Sequence, residues 1–233
     1  AADDHHDFPL ACADGVDGDE KAALLLPGLN VDGLDELKLQ PIDWNNKQSE
    51  LENGNVDCLW NGFSKTPERD EQFNLSIPYM KNEQIILVKT DSDYQTLEDL
   101  AGKTIGVQAD SSAESALEAE ENKEFKDSLG EIVKIEDYAM AVLEIQNGTI
   151  DAISIDEVVA RFYLNNDPDA YRILSDSDGN ALSLATEDYV IGFRKSDNAL
   201  KEKVEEALRE MSSDGTMKTI SEEWFGEDVT TVE

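Results

Sequence analysis

The 233 residues include 53 Asp and Glu against 19 Lys and Arg, a formal net charge of −34. A chain this acidic is repelled by phosphate backbones and anionic lipid surfaces, which argues against nucleic-acid and membrane-surface roles and for a soluble monomer. Its length and 39% hydrophobic content suit one large domain or two lobes of about 100 residues each, and no run of 18 apolar residues is present to span a bilayer.

In chain order, residues 1–38 show no clean helix or strand period. The opening "AADDHHDFPL" lacks a basic n-region and an apolar h-region, so no signal peptide is expected there; a mature exported chain and a cytosolic chain read alike on this point. "DGVDGDE" is turn-like, and "KAALLLPGL" suits a helix broken at Pro27. The adjacent His5 and His6 read as part of an acidic tail rather than a metal site. Cys12 and Cys58 are too few for a disulfide scaffold or a zinc site, and whether they form one bridge stays open.

From residue 37 the pattern sharpens. "LKLQPI" alternates as a strand, a helical stretch ends at Asn53-Gly54, and "VDCLW" suits a strand buried on both faces. The same unit returns 94 positions later: Asp43 to Gly62 matches Asp137 to Asp156 without a gap. Asp43-Trp44 answers Asp137-Tyr138, Leu51 answers Ile145, Asn53-Gly54 answers Asn147-Gly148, and Val56-Asp57 answers Ile150-Asp151. Each copy is a β-α-β crossover, so two copies predict two α/β lobes. Ile85 to Lys89 and Val190 to Arg194 read as strands that leave the first lobe and return to it. The predicted division is residues 1–83 with 188–233 in lobe 1 and 84–187 in lobe 2, with a two-strand hinge near 82–86 and 186–190. The remainder reads as a helix with Leu200, Val204, Leu208 and Met211 on one face, then a shorter helix before Trp224-Phe225.

In open α/β sheets, ligands bind beyond the carboxyl ends of strands, where the two copies end at Gly62 and Asp156. From Asn61 onward the chain offers free backbone at Gly62, a hydroxyl at Ser64 and the guanidinium of Arg69, a planar fork for a carboxylate. The alternative for Arg69 is a surface pair with Glu68, Asp70 or Glu71. Ser111 and Ser112 follow the strand Lys103 to Gln108 and precede a helix; they serve as an N-cap or as an anion site. Asp156 offers a carboxylate to an ammonium group, or caps the helix "EVVARFYL". Clamp and acceptor facing each other across a hinge describe a site for an α-amino acid. Asp176, Asp178, Asn180 and Glu187 fall at calcium-loop positions, but Ala181 replaces the required Gly, so a plain polar loop is expected. With both His residues at positions 5 and 6, no His-based catalytic triad is supported.

The stretches "NGNVDCLWNGFSKTPERDEQFNLSIPYMKNEQIILV", "LEDLAGKTIGVQADSSAE", "IQNGTIDAISIDE", "IGFRKSD" and "DGTMKTISEEWFG" resemble the polar amino-acid-binding proteins of ABC importers, solute-binding protein family 3. The resemblance runs from Gln40 to Gly226 in the right order. Residues 1–38 depart from the family pattern: "DFPL" faintly matches its aromatic-Pro element, and its Gly-Phe-Asp run is missing. The resemblance implies the type II periplasmic-binding-protein fold, an α/β class with two lobes, each a mostly parallel sheet flanked by helices. It implies that Ser64 and Arg69 bind a ligand α-carboxylate, with backbone contacts from Gly62 beside Asn61 and help from Ser111 and Ser112. Asp156 is then the acceptor of the α-amino group, and Gln108 lines the side-chain pocket. The implied function is capture of a polar L-amino acid and delivery to an ABC transporter permease. The implied location is extracytoplasmic, in a periplasm or at a cell surface with a lipid anchor on the precursor. No cofactor, metal or catalysis is implied. The same fold also carries cyclohexadienyl and arogenate dehydratases, which need a proton donor in the cleft, and the sensor domains of receptors. The sensor reading is disfavoured because neither a membrane segment nor a kinase accompanies "EEWFGEDVTTVE".

Overall fold

The structure, a computed structural model, describes residues 7–13, 36–225 and 228–232, with the main chain alone for 7–13 and 36–38. The expectations for His5 and His6, for the turn and broken helix of residues 14–35, and for the Cys12 side chain lie outside the described residues. The chain forms two compact units. Unit 1 takes the residues up to Lys81 and those from Asp188 on, and unit 2 spans Asn82–Glu187.

Unit 1 is built on a five-stranded sheet. Strands β1 (Asp7–Ala13), β2 (Glu36–Ile42), β3 (Cys58–Leu59) and β4 (Asn74–Leu75) are joined by β11 (Gly192–Phe193) in the order β2-β1-β3-β11-β4. Strand β1 runs parallel to β2 and β3, whereas β11 is antiparallel to both of its neighbours. Unit 2 repeats the theme. Strands β5 (Met80–Lys89), β6 (Thr104–Gln108), β7 (Glu131–Ile135), β8 (Ala152–Asp156) and β10 (Ala185–Tyr189) follow the order β10-β5-β8-β6-β7, with β9 (Tyr171–Ile173) added against β5. Here β6 is parallel to β7 and β8, and β5 is antiparallel to β8. The core of both sheets is thus one three-strand pattern, β2-β1-β3 and β7-β6-β8. In each, a helix crosses over from the outer strand to the third, as parallel strands require.

The internal repeat supplies those crossovers. Asp43 accepts a hydrogen bond from the amide of Asn45 (2.9 Å) and Asp137 one from the amide of Met140 (2.7 Å), so both copies open on an Asp cap. Helix α1 (Lys47–Glu52) and helix α5 (Tyr138–Asn147) then end at Gly54 and Gly148, whose φ angles of +76° and +73° are left-handed, as a helix stop requires. Matched apolar pairs are buried in both copies: Trp44 and Tyr138, Leu51 and Ile145, Val56 and Ile150. Burying such a side chain contributes about 1.5–3 kcal/mol. In unit 1 these residues pack with Phe63 and Phe73, whose rings meet edge to face at 5.3 Å. In unit 2 the sheet residues Ile86, Val88, Ile105 and Val107 pack against Ala113, Ala116 and Leu117 of helix α3 (Ser112–Glu118).

The expected strand Val190 to Arg194 is divided. Strand β10 ends at Tyr189, and buried Val190 and Ile191 separate it from β11. The amide of Val190 donates to Phe63 O (2.9 Å) and that of Ile191 to Ser76 Oγ (2.8 Å), so the apolar run changes partners midway. Beyond it, Arg194 donates to the main-chain oxygens of Leu51 (3.1 Å) and Val56 (2.7 Å) and to the carboxylates of Asp57 (3.0 Å) and Asp197 (2.5 Å). It ties the end of α1 to the start of helix α7 (Asn198–Ser213), which buries Val204, Leu208 and Met211, with α8 (Thr216–Phe225) following. Among the described residues, no helix is long and apolar enough to cross a membrane, and no group of three His, Cys, Asp or Glu is placed to hold a metal ion. Asp176 instead closes its own turn, accepting from the amides of Asp178 and Asn180 (both 2.9 Å).

Candidate functional site

The unit 1 candidates sit between β3 and helix α2 (Pro67–Gln72). Thr66 caps α2, its Oγ1 accepting from the amide of Arg69 (3.2 Å), and Pro67 occupies the first turn, where its missing N–H costs nothing. That start aims the Arg69 side chain backward. Its Nη1 donates to the carbonyl of Ser64 at 2.8 Å, and its guanidinium carbon lies 4.5 Å from the ring centroid of Phe63. Contact with an aromatic face and a main-chain carbonyl fixes the direction of the guanidinium. Ser64 is fully buried and bridges to Tyr189, and the amide of Lys65 donates to Asp188 O (2.8 Å). Gly62 adopts φ +37°, and a Cβ there would stand 3.3 Å from the Tyr189 hydroxyl, so both conformation and space favour Gly. Asn61 is buried beside it. Underneath lie Trp60, Tyr79 and Tyr189, all fully buried, and burial pushes the Tyr79 phenol pKa upward.

In unit 2, Gln84 and Asp156 face each other in register on β5 and β8. Asp156 stands at the N-cap position of helix α6 (Glu157–Asn166), yet its side chain makes no capping bond. Instead Oδ1 accepts from Asn82 Nδ2 (2.7 Å) and Gln84 Nε2 (2.8 Å), and Oδ2 from the Tyr138 hydroxyl (3.2 Å). The same two amides reach Glu187 Oε2, Gln84 at 2.9 Å and Asn82 at 3.4 Å. Gln84 Nε2 also lies 3.1 Å from Ser112 Oγ. Asn82, Gln84, Ser112 and Asp156 are each at least 94% buried. Two carboxylates therefore share the amide donors of Asn82 and Gln84.

The two readings of the Ser pair separate here. Ser111 is the N-cap of α3: its Oγ accepts from the amide of Glu114 (3.2 Å) and donates to Gln108 O (2.8 Å). Ser112 belongs to the Gln84–Asp156 cluster. Gln108 donates through Nε2 to Glu136 O (3.1 Å), fastening the end of β6 to the segment after β7. Asn82, Gln84, Tyr138 and Glu187 are missing from the candidates inferred from sequence. The available signal was slight: Asn82 and Gln84 are polar residues at alternate positions entering an otherwise apolar strand, an oddity for buried positions. Glu187 had drawn notice only as part of a calcium-loop spacing, and the structure puts it on β10 beside Asp156.

Known proteins give these features a context. Residues 30–227 match the bacterial extracellular solute-binding proteins, family 3. The arginine-binding extracellular protein ArtP of Bacillus subtilis is 32% identical over 194 residues, 82% of this chain and 71% of that protein. A substrate-binding protein of an ABC uptake transporter from Streptococcus pneumoniae, solved with bound histidine, is 32% identical, with a TM-score of 0.81 over 97% of this chain and 94% of that one. The arginine-, lysine-, histidine-binding protein ArtJ of Geobacillus stearothermophilus is 29% identical, with a TM-score of 0.74 over 96% of both chains. The chain spans between 66% and 71% of the length of eight curated relatives. These relatives are receptors named for binding, so the dehydratase alternative falls, and the expected type II periplasmic-binding-protein fold holds. The chain belongs to the bacterial extracellular solute-binding proteins of family 3.

Proposed function

We propose that this protein is a receptor for a polar L-amino acid and that it hands this ligand to the permease of an ABC importer. It works outside the cytoplasmic membrane, as a monomer in a periplasm or at a cell surface. The α-carboxylate is received by Arg69, with Ser64 and the main chain at Asn61 and Gly62, and by the Ser111–Ser112 turn. The α-ammonium group is received by Asp156, and Gln108 contributes to the surroundings of the ligand side chain. One observation carries this reading: Asp156 occupies a helix-capping position and forgoes the cap, turning its carboxylate onto Gln84, Asn82 and Tyr138. A carboxylate turned away from the helix cap can accept the N–H groups of an ammonium. The relatives bind arginine, histidine and cystine by name, ligands that share free α-carboxylate and α-amino groups.

A thermal-shift screen against the twenty amino acids, followed by calorimetry, tests the reading. A ligand present at 100 times its dissociation constant adds about 2.7 kcal/mol of stability. A screen in which no amino acid raises the melting temperature would sink the proposal.

A further inference from the structure

The run that follows β10 supports the segment leading from β3 to Arg69. The amide of Lys65 donates to Asp188 O (2.8 Å) and that of Val190 to Phe63 O (2.9 Å), with Ser64 and Tyr189 bridged antiparallel between them. Flanking bonds of that kind make Ser64 and Tyr189 a non-hydrogen-bonded pair, the closer of the two antiparallel spacings, with both side chains on one face. Gly62 stands two residues before Ser64, diagonal to Tyr189, and the tyrosine ring reaches over it. A Cβ on Gly62 would lie 3.3 Å from the Tyr189 hydroxyl oxygen and 3.5 Å from Cζ. Tyr189 and Ser64 are fully buried, and the Tyr189 carbonyl accepts from the amide of Tyr79 (3.0 Å), whose ring centroid lies 6.4 Å from its own. Three residues on, Gly192 makes room for Phe63, since a Cβ there would come within 2.9 Å of that ring. Phe63 in turn carries the Arg69 guanidinium, and Ser64 O accepts from Arg69 Nη1 (2.8 Å).

We propose that Tyr189 is a positioning residue for the carboxylate end of the site. Its ring covers Gly62 and its main chain holds Ser64, so residues 62–65 keep the conformation from which Ser64 and Arg69 act. The inference rests on the reading that those two residues receive an α-carboxylate. Hydrogen bonds weaken steeply with distance and angle, so a shift of this short segment weakens the clamp without removing any of its groups. Gly62 by itself does not set the shape, because a glycine accepts many φ values; a buried aromatic ring packed over it removes that freedom. Tyr189 thus acts through Gly62, through Ser64 and, by way of the Ser64 carbonyl, through Arg69, with no ligand contact required.

The test is calorimetry of the full chain with two probes: the amino acid giving the largest thermal shift among the twenty, and its α-carboxamide, which lacks the carboxylate charge. The wild type should prefer the acid by about tenfold or more. Tyr189→Leu should lower affinity for the acid by about tenfold and for the carboxamide by no more than about twofold, so the preference falls. Tyr189→Phe keeps the ring and should restore most of that preference. Gly62→Ala supplies a second reading, which decides the matter should the Leu variant not fold. Its loss of about tenfold in the wild-type background should shrink to about threefold beside Tyr189→Phe, which removes the oxygen at 3.3 Å. An equal loss of both probes in Tyr189→Leu, a preference it leaves unmoved, or a Gly62→Ala loss equal in both backgrounds overturns the role of Tyr189 alone. If none of the twenty binds the wild type, the receptor reading fails; if acid and carboxamide bind it equally, the carboxylate roles of Ser64 and Arg69 fail.

Discussion

Arg69 folds back on its own chain: its Nη1 donates to the carbonyl of Ser64 at 2.8 Å while its guanidinium lies over the ring of Phe63. Under the proposed role of Arg69, a group held in this way would need little further ordering on binding. We expect Arg69→Ala to weaken amino-acid binding by about 2–3 kcal/mol or more, because it strands a carboxylate that only an N–H fork can satisfy. Arg69→Lys should recover part of the loss, since an ammonium cannot pair bidentately. Calorimetry decides it, and binding unchanged in Arg69→Ala would remove this residue from the site.

Gln84 should matter to the unliganded protein too. Gln84→Leu deletes the amide donor shared by buried Asp156 and half-buried Glu187 and puts an apolar side chain against both carboxylates. The expected loss is about 2–3 kcal/mol, read by chemical denaturation without ligand. A Leu variant as stable as the wild type would mean that this cluster is wet and energetically slack.

The repeat explains why much of the fold was legible. Asn-Gly stops, Asp caps and matched apolar pairs are local signals, and they recur at a constant spacing that chance does not supply. Residues 43–62 and 137–156 thus announced two crossovers before any coordinates. Gln84 and Glu187 were not legible in that way. Their meeting joins positions 103 residues apart across strands β5 and β10, and a lone polar residue in a strand carries no period. The strand drawn from Val190 to Arg194 failed for a related reason. Apolar continuity reports burial, whereas the partners of Val190 and Ile191, Phe63 and Ser76, come from elsewhere in the chain. The seemingly interchangeable Ser111 and Ser112 also separated only in three dimensions, one capping a helix and the other meeting Gln84.

Arg194 offers a purely structural test. It serves two carbonyls and two carboxylates, and its side chain is 24% exposed. Arg194→Lys keeps the charge but can reach only part of this set, so a loss of about 2–3 kcal/mol is expected, with ligand affinity largely kept. Thermal denaturation of the variant gives the answer; a melting temperature within a degree or so of wild type contradicts it.

Gly130 lies where a side chain has no room. A Cβ at this position would come within 2.4 Å of the carbonyl oxygen of Gly102, a main-chain atom that cannot swing aside. Gly130→Ala should therefore shift the backbone and cost about 1–3 kcal/mol, measured by urea unfolding. A neutral result would show that the turn before β7 yields easily.

Ionic strength should move stability upward. With a net charge of −34, the compact state repels itself, and raising salt from about 0.1 M to about 1 M shortens the Debye length from about 10 Å to about 3 Å. We expect a gain of roughly 1–2 kcal/mol, or about 2–8 °C in Tm. The surface ion pairs, such as Lys218 with Glu222, weaken under the same conditions, but each contributes less than about 1 kcal/mol. A melting temperature that falls with added NaCl would show that pairing, not repulsion, governs this surface.

The chain enters unit 2 at Asn82 and leaves it at Glu187, and those two side chains approach to 3.4 Å. On the unit 1 side of the same boundaries, Lys81 and Asp188 form an ion pair at 2.5 Å. Both ends of the inserted segment thus meet, and so do the two ends it interrupts. Unit 2 has the anatomy of a removable module: a short turn joining Lys81 to Asp188 would reseal the remainder, and the excised piece could be closed into a ring or reopened elsewhere as a circular permutant.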